Sequence, residues 1–239
     1  MLDKPHHGFG GFGISIQNQP TALYNSMIAP LINYIIKGFV WDQGESNTYN
    51  ANAYAKLQPA MISDWRSKWN EGDLPFLFVQ LPGFGDYNYL PSESQWAMFR
   101  EAQAKSLTLP NTGMAVAIDL GEWHDIHPDR KKPVGERLAL AAEKIAYGEN
   151  IVYSGPLYQS QTIEGNKIII SFTHTGTGLS TNDGEQPAVF AIAGADTTFV
   201  WADTKIVHRT PASVGEGDKI IVSSDQIPNP KYVRYAWAD

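Results

Sequence analysis

The sequence contains no cysteine. Disulfide bonds, zinc sites built on thiolates and catalysis by a cysteine nucleophile are therefore excluded. The sequence also has no run near the roughly 20 apolar residues that a membrane-spanning helix requires. Residues 1–13 are rich in glycine and lack the apolar core of a secretory signal peptide.

Clustered basic residues are also scarce. The chain has 18 lysines and arginines against 25 acidic residues, a net charge of −7. A nucleic-acid partner requires a dense patch of lysine and arginine, so we expect none. The 239 residues do include seven tryptophans and eleven tyrosines. Such rings either pack in cores and interfaces or offer flat platforms to carbohydrate, and composition leaves both interpretations open.

Apolar runs alternate with amphipathic segments in the first half of the chain. Strands are predicted over 38–41, 76–81 and 113–119. Helices are predicted over 49–69, over 92–107 with Ser92 as N-cap, and over 133–147 with Gly148 as the stop. Strand–helix alternation predicts right-handed crossovers and a parallel sheet between helix layers, which is an α/β fold.

The pattern changes near Gly148. Short β-rich runs separated by Gly, Asn, Asp and Pro follow, with no helix of useful length after 150, which predicts an antiparallel, sandwich-like region. We therefore divide the chain into an extended glycine-rich segment (1–22), an α/β domain (23–150) and a β-rich C-terminal domain (151–239).

Polar, glycine-containing loops follow all three predicted parallel strands. Ligands bind outside the carboxyl ends of such strands, so these loops predict a site at one sheet edge. The loops are 42–47, 80–86 and 119–128.

His127 is the candidate general base because imidazole exchanges protons near neutral pH. Asp125, two residues earlier, is the candidate carboxylate that would orient it. A structural or solvated histidine is the alternative. A metal site built on His124, Asp125 and His127 is a further alternative, but no further ligand stands at suitable spacing, and no metal is expected.

The segment Gln43-Gly44-Glu45-Ser46-Asn47 is the candidate oxyanion and pocket loop. Gly44 allows close approach of the backbone to a ligand. The Gln43 and Asn47 amides and free backbone N–H groups can donate to an oxyanion. Glu45 either orients a base or holds the loop together. Ser46 is either a nucleophile or part of the pocket floor.

"QGESN", "DLPFLFVQL", "REAQ", "DIHP", "VGERLALAA" and "VRYAWAD" together resemble the sialate O-acetylesterase family, which belongs to the SGNH-type serine hydrolases. The likeness extends from about Leu23 to the end. It implies an SGNH-like α/β fold and hydrolysis of acetyl esters on sialic acid or polysaccharide sugars, with no cofactor. Glycan substrates favour a secreted or periplasmic location.

The resemblance places His127 on the family's general base. Asp125 falls on an aspartate usual in the "DIHP" loop, although the supporting acid more often stands three residues before the histidine, where this chain has His124. Residues 43–47 fall on a block that shapes the pocket, which assigns Ser46 to the floor.

The family's nucleophilic serine lies in an earlier block resembling "GQSNM", and no segment of this sequence matches it. The resemblance therefore implies that a missing N-terminal part accompanies the chain, or that the chain self-associates. The alternative function is a non-catalytic glycan-binding or structural module, with Trp123, Trp201 and Trp237 as candidate surface rings.

Overall fold

Three parallel strands form the sheet of the first half. The computed structural model describes residues 15, 19–209 and 217–239. The strands are β1 (Phe39–Trp41), β2 (Phe76–Gln80) and β3 (Thr112–Val116), in the order β1-β2-β3. Phe39 lies opposite Phe76, and Phe76 lies opposite Thr112. The predicted parallel sheet is confirmed, and β2, buried on both faces, is its centre.

Helices cover both faces of this sheet: α1 (Ala51–Trp69), α2 (Gln95–Ala104) and α3 (Lys131–Ile145). Alternate residues of β2 point to opposite faces, as the pleat of a strand requires. Phe76 and Phe78 pack with Ile62 of α1. Val79 packs in a separate cluster that includes Val134 and Leu138 of α3.

The helix boundaries differ from the predicted ones by a few residues. Asn50 caps α1 by accepting the Ala53 N–H at 3.4 Å. The predicted cap of α2 was wrong: Ser94, not Ser92, accepts the Ala97 N–H at 2.8 Å. Because Ser94 satisfies this orphan amide, α2 begins at Gln95. Helix α3 begins at Lys131, two positions before the predicted Pro133.

The second half consists of two antiparallel sheets. Seven strands build them: β4 (Leu157–Glu164), β5 (Lys167–Thr173), β6 (Phe190–Ala193), β7 (Val200–Trp201), β8 (Asp203–Val207), β9 (Lys219–Ser223) and β10 (Tyr232–Tyr235). Their orders are β4-β5-β9-β8 and β10-β6-β7. One apolar cluster joins the sheets, with Ile168, Ile170 and Val222 from one and Phe190 and Ile192 from the other. The predicted sandwich is confirmed.

Polar contacts connect the two halves. Arg100 of α2 donates to the carbonyls of Ala236 and Ala238. Arg234 of β10 pairs with Glu93 at 2.8 Å. The division at residue 150 stays a prediction, and most of the predicted segment 1–22 lies outside the described residues. No helix among the described residues is both long and apolar enough to cross a bilayer.

Candidate active site

The loops that follow β1 and β3 meet around a small cavity of about 160 Å³. Asp42 and Glu45 line it from the first loop, His127 and Pro128 line it from the second, and Lys131 lines it from the start of α3. The His127 side chain is 88% exposed at this position. The structure therefore brings the predicted base and part of the predicted pocket loop to the same edge of the sheet.

Asp125 contacts the backbone of His127 rather than its ring. Its Oδ1 accepts the His127 backbone N–H at 2.8 Å, whereas the distance from that oxygen to the ring Nδ1 is 3.9 Å. The longer distance exceeds the range of a hydrogen bond. The carboxylate fixes the turn that carries His127 and acts on its ring only through space.

An amide network holds the loop 43–47. The Tyr54 hydroxyl donates to the Gln43 side-chain oxygen at 3.0 Å, and the Gln43 Nε2 donates to the Asn47 Oδ1 at 2.7 Å. Within the part of the chain that the structure describes, the Asn47 Nδ2 has no hydrogen-bond acceptor. This N–H group is a side-chain donor that the loop leaves unused. Of the predicted pocket residues, however, only Glu45 lines the His127 cavity; Gln43, Gly44, Ser46 and Asn47 do not.

Gly44 is the buried residue of this loop. The packing around it leaves no room for a side chain. A Cβ at Gly44 would lie 2.5 Å from the Phe99 ring. Glu45 accepts the Gly44 N–H at 3.0 Å, which is the loop-holding contact. Ser46 is exposed, and among residues 15, 19–209 and 217–239 no hydroxyl is hydrogen-bonded to the His127 ring.

The charges around the cavity are mixed. Partial burial raises the pKa of Asp42, the neighbouring Glu45 carboxylate raises it further, and Lys131 opposes both. Among the described residues, no group of three or more histidines and carboxylates is arranged to hold a metal ion.

Two positioning contacts were missed by the sequence reasoning. Gln103 is fully buried; it accepts the Leu81 N–H at 2.9 Å and donates to the Val79 carbonyl at 3.1 Å. Arg137 binds the Asp119 carboxylate with two hydrogen bonds of 2.6 and 2.7 Å. The burial of Gln103 could have been predicted from the sequence, since Gln103 stands on the apolar face of α2, four residues after Phe99.

Comparison with known proteins places this chain in a family. The family model described as carbohydrate esterase, sialic acid-specific acetylesterase matches residues 7–144. Sialate O-acetylesterases of Mus musculus and Homo sapiens are each 36% identical over 173 residues, covering 64% of this chain. A crystal structure of a carbohydrate acetylesterase from Xanthomonas citri has 43% identity and a TM-score of 0.81, covering 90% of this chain.

The chain corresponds to only part of each relative. It spans 32% of the mouse protein, 33% of the human protein and 48% of the Xanthomonas citri chain. The resemblance predicted from "QGESN" and "DIHP" is nevertheless confirmed, because the family model covers more than half of the sequence. The chain belongs to the carbohydrate esterase family of sialic acid-specific acetylesterases.

Proposed function

We propose that this chain forms the base-bearing part of a serine hydrolase that removes acetyl groups from sugars, either sialic acid or the sugars of a polysaccharide. The observation that carries the proposal is the exposed His127 imidazole at the cavity where the loops after β1 and β3 meet. Ligands of parallel α/β sheets bind at this edge. The family match and the 43% identity to a carbohydrate acetylesterase support the substrate class.

The proposed reaction needs only a hydroxyl nucleophile, a base and oxyanion donors. His127 takes the proton of a serine hydroxyl as its oxygen attacks the acetyl carbonyl. Asn47 Nδ2 and backbone N–H groups of the loop 43–47 donate to the oxyanion. His127 then protonates the departing sugar oxygen, leaving an acetylated serine. Water, deprotonated by His127, releases acetate, while Asp125 stabilises the imidazolium through space.

We propose that the attacking serine comes from a part of the protein outside these 239 residues or from a second copy of the chain. Ser46 then belongs to the pocket floor and is not the nucleophile. The β1 edge supports this proposal, since β1 pairs only with β2 among the described strands and Val40 is exposed. Five more apolar side chains are exposed in the segment that precedes β1 in the sequence: Leu23, Met27, Leu31, Tyr34 and Ile35. An uncovered apolar edge promotes association. A stable 26.4 kDa monomer in size-exclusion chromatography would count against it.

A fluorophosphonate probe tests the function and identifies the nucleophile. The 239-residue chain, its His127→Ala and Ser46→Ala variants, and the chain expressed with its upstream coding sequence are treated and mapped by mass spectrometry. Labelling of an upstream serine that depends on His127, together with acetate release from an acetylated sugar, is expected. Labelling confined to Ser46 would make Ser46 the nucleophile.

A non-catalytic glycan-binding module is the second candidate. It is favoured by the absence, among the described residues, of a hydroxyl bonded to His127. Saturable sugar binding with no hydrolysis of p-nitrophenyl acetate in any of these forms would support it. For either candidate, we propose a secreted or periplasmic location, because the glycans that it would contact occur there.

A further inference from the structure

A cleft of about 840 Å³ lies between the loop after β2 and the β-rich half. Aromatic side chains line it from four separate segments: Phe84, Tyr87 and Tyr89; Trp123; Trp201; and Trp237. The Tyr87 and Trp123 side chains are 71% and 67% exposed. Exposed rings around a concave space of this size are unusual for core packing and typical of a small-molecule site.

One hydrogen bond and one ring contact hold part of this aromatic lining. The Trp201 indole N–H donates to the Tyr89 carbonyl at 2.8 Å, which connects β7 to the loop after β2. The Tyr87 and Tyr89 rings meet edge to face, with centroids 5.3 Å apart. The Trp201 ring is thus positioned before a ligand binds, which reduces the entropic cost of ordering it.

The cleft is attached to the loop that carries His127. The Gly85 N–H donates to the Trp123 carbonyl at 3.1 Å. A Cβ at Gly121 would overlap the carbonyl of Gly83, so the two loops touch backbone to backbone. Trp123 and His127 therefore occupy one loop, with Trp123 facing the cleft and His127 facing the small cavity.

The charge of the cleft selects among sugars. Its ionised groups are Asp86, Asp239 and Arg100. The Arg100 guanidinium is buried: its Nη2 donates to the carbonyls of Ala236 and Ala238, and its Nη1, which has no partner among the described residues, is shielded from solvent. Two carboxylates against this one buried cation leave the cleft negative, which disfavours anionic sugars and offers acceptors to hydroxyl groups.

We propose that this cleft is a subsite for an uncharged sugar residue next to the acetylated one, so that the substrate is an acetylated neutral glycan rather than a sialylated one. The inference rests on the proposed function for the neighbouring acetyl group. The aromatic rings would stack on the apolar faces of the sugar, and Asp86 would accept hydrogen bonds from its hydroxyls. The β-rich half would then contribute to substrate binding through Trp201.

Calorimetric titration of the 239-residue chain tests the subsite without turnover. The probes are three neutral tetrasaccharides (xylotetraose, cellotetraose and mannotetraose) and the anionic trisaccharide 3′-sialyllactose. At least one neutral probe is expected to bind at least tenfold more tightly than the anionic probe. Trp123→Ala and Tyr87→Ala are expected to weaken that binding about tenfold, and Trp123→Phe by less than threefold. The control is Tyr147→Ala, a tyrosine of similar 66% exposure outside the cleft.

Equal or tighter binding of 3′-sialyllactose, no binding of any neutral probe at millimolar concentration, or unchanged affinity in the cleft variants would overturn the proposal. His127→Ala is included to separate this proposal from the esterase function. Neutral-sugar binding that survives His127→Ala, together with no acetate release even from the wild-type chain expressed with its upstream coding sequence, would leave the subsite standing and remove the esterase.

Discussion

The Oδ1 atom of Asp125 accepts the backbone N–H of His127 at 2.8 Å while lying 3.9 Å from the ring Nδ1 of the same residue. One carboxylate thus has two separable effects on the proposed base. The hydrogen bond fixes the turn, and the carboxylate also places a negative charge 3.9 Å from the ring nitrogen. Substitutions can remove the charge alone or both effects together.

The first prediction concerns this pair. In the form of the enzyme that releases acetate, His127→Ala is expected to lower kcat by about 100- to 10,000-fold, the range for loss of a general base. Asp125→Asn keeps an oxygen for the backbone N–H and removes only the charge, so we expect a loss of about tenfold. Asp125→Ala removes both and should lose more.

Steady-state kinetics on an acetylated sugar will check these values, with circular dichroism to confirm folding. Equal losses in Asp125→Asn and His127→Ala would mean that the carboxylate reaches the ring during catalysis. Full activity in His127→Ala would place the base elsewhere.

The second prediction is that Gly44→Ala destabilises the fold. The added Cβ would lie 2.5 Å from the buried Phe99 ring, so the loop 43–47 or the ring must move. Overpacking of this kind costs about 1–3 kcal/mol. The matched control is Gly135→Ala inside α3, where nothing lies within 4 Å of the added Cβ. This control should raise the free energy of unfolding by about 0.5–1 kcal/mol.

Urea unfolding monitored by tryptophan fluorescence will measure both glycine variants. A Gly44→Ala variant as stable as wild type would show that the loop rests on Phe99 loosely, and the preorganised oxyanion loop would then need revision.

Sequence patterns predicted the helices and strands whose buried faces give a clear apolar pattern. They missed the features that depend on a single polar contact. The continuous apolar run of β2 was readable because both of its faces are buried. The N-cap of α2 could not be predicted in this way, because Ser92 and Ser94 both carry a hydroxyl. Only the fold decides which of the two accepts the Ala97 N–H. Strand β4 also escaped prediction, since seven of its eight residues are exposed and give no apolar alternation.

The candidate site likewise had one feature that the sequence predicted and one that it did not. That the loops after β1 and β3 would meet followed from the parallel topology alone. Whether Asp125 bonds to the backbone or to the imidazole depends on the local conformation of residues 125–127. Spacing in sequence is identical for the two arrangements, so the pattern could not separate them.

The third prediction tests whether Gln103 positions the pocket loops. Gln103→Leu would leave the buried Leu81 N–H and Val79 carbonyl without their side-chain partners. Each buried unsatisfied group costs about 1–3 kcal/mol, so a loss of about 2–5 kcal/mol in unfolding free energy is expected. Gln95→Leu on the exposed face of α2 is the control and should change stability by less than about 0.5 kcal/mol.

Chemical denaturation of the two glutamine variants will check this difference. If Gln103→Leu matched Gln95→Leu, water or a shifted backbone would have to satisfy the two groups, and the positioning role would fail.

The fourth prediction is a pH dependence located in the β-rich half. Burial alone would raise the pKa of Asp218, but hydrogen bonds from the backbone N–H groups of Arg209 and Leu179 and from His208 outweigh it and lower the pKa. The unfolded chain therefore binds a proton at higher pH than the folded chain. The stability that Asp218 contributes is fully present above an ordinary aspartate pKa of about 3.9 and is lost as the pH falls below it.

Asp218→Asn isolates that contribution. At pH 7 it should lower the free energy of unfolding by about 1–3 kcal/mol, because an amide nitrogen replaces one of two buried acceptors. The difference in unfolding free energy between wild type and this variant should then narrow as the pH falls below about 4, because protonation removes the charge from wild type too. Urea titrations across these pH values measure the difference, with the exposed Asp225→Asn as control. A difference that stays constant with pH would mean that Asp218 acts by packing alone, since only an ionised carboxylate makes its contribution depend on protons.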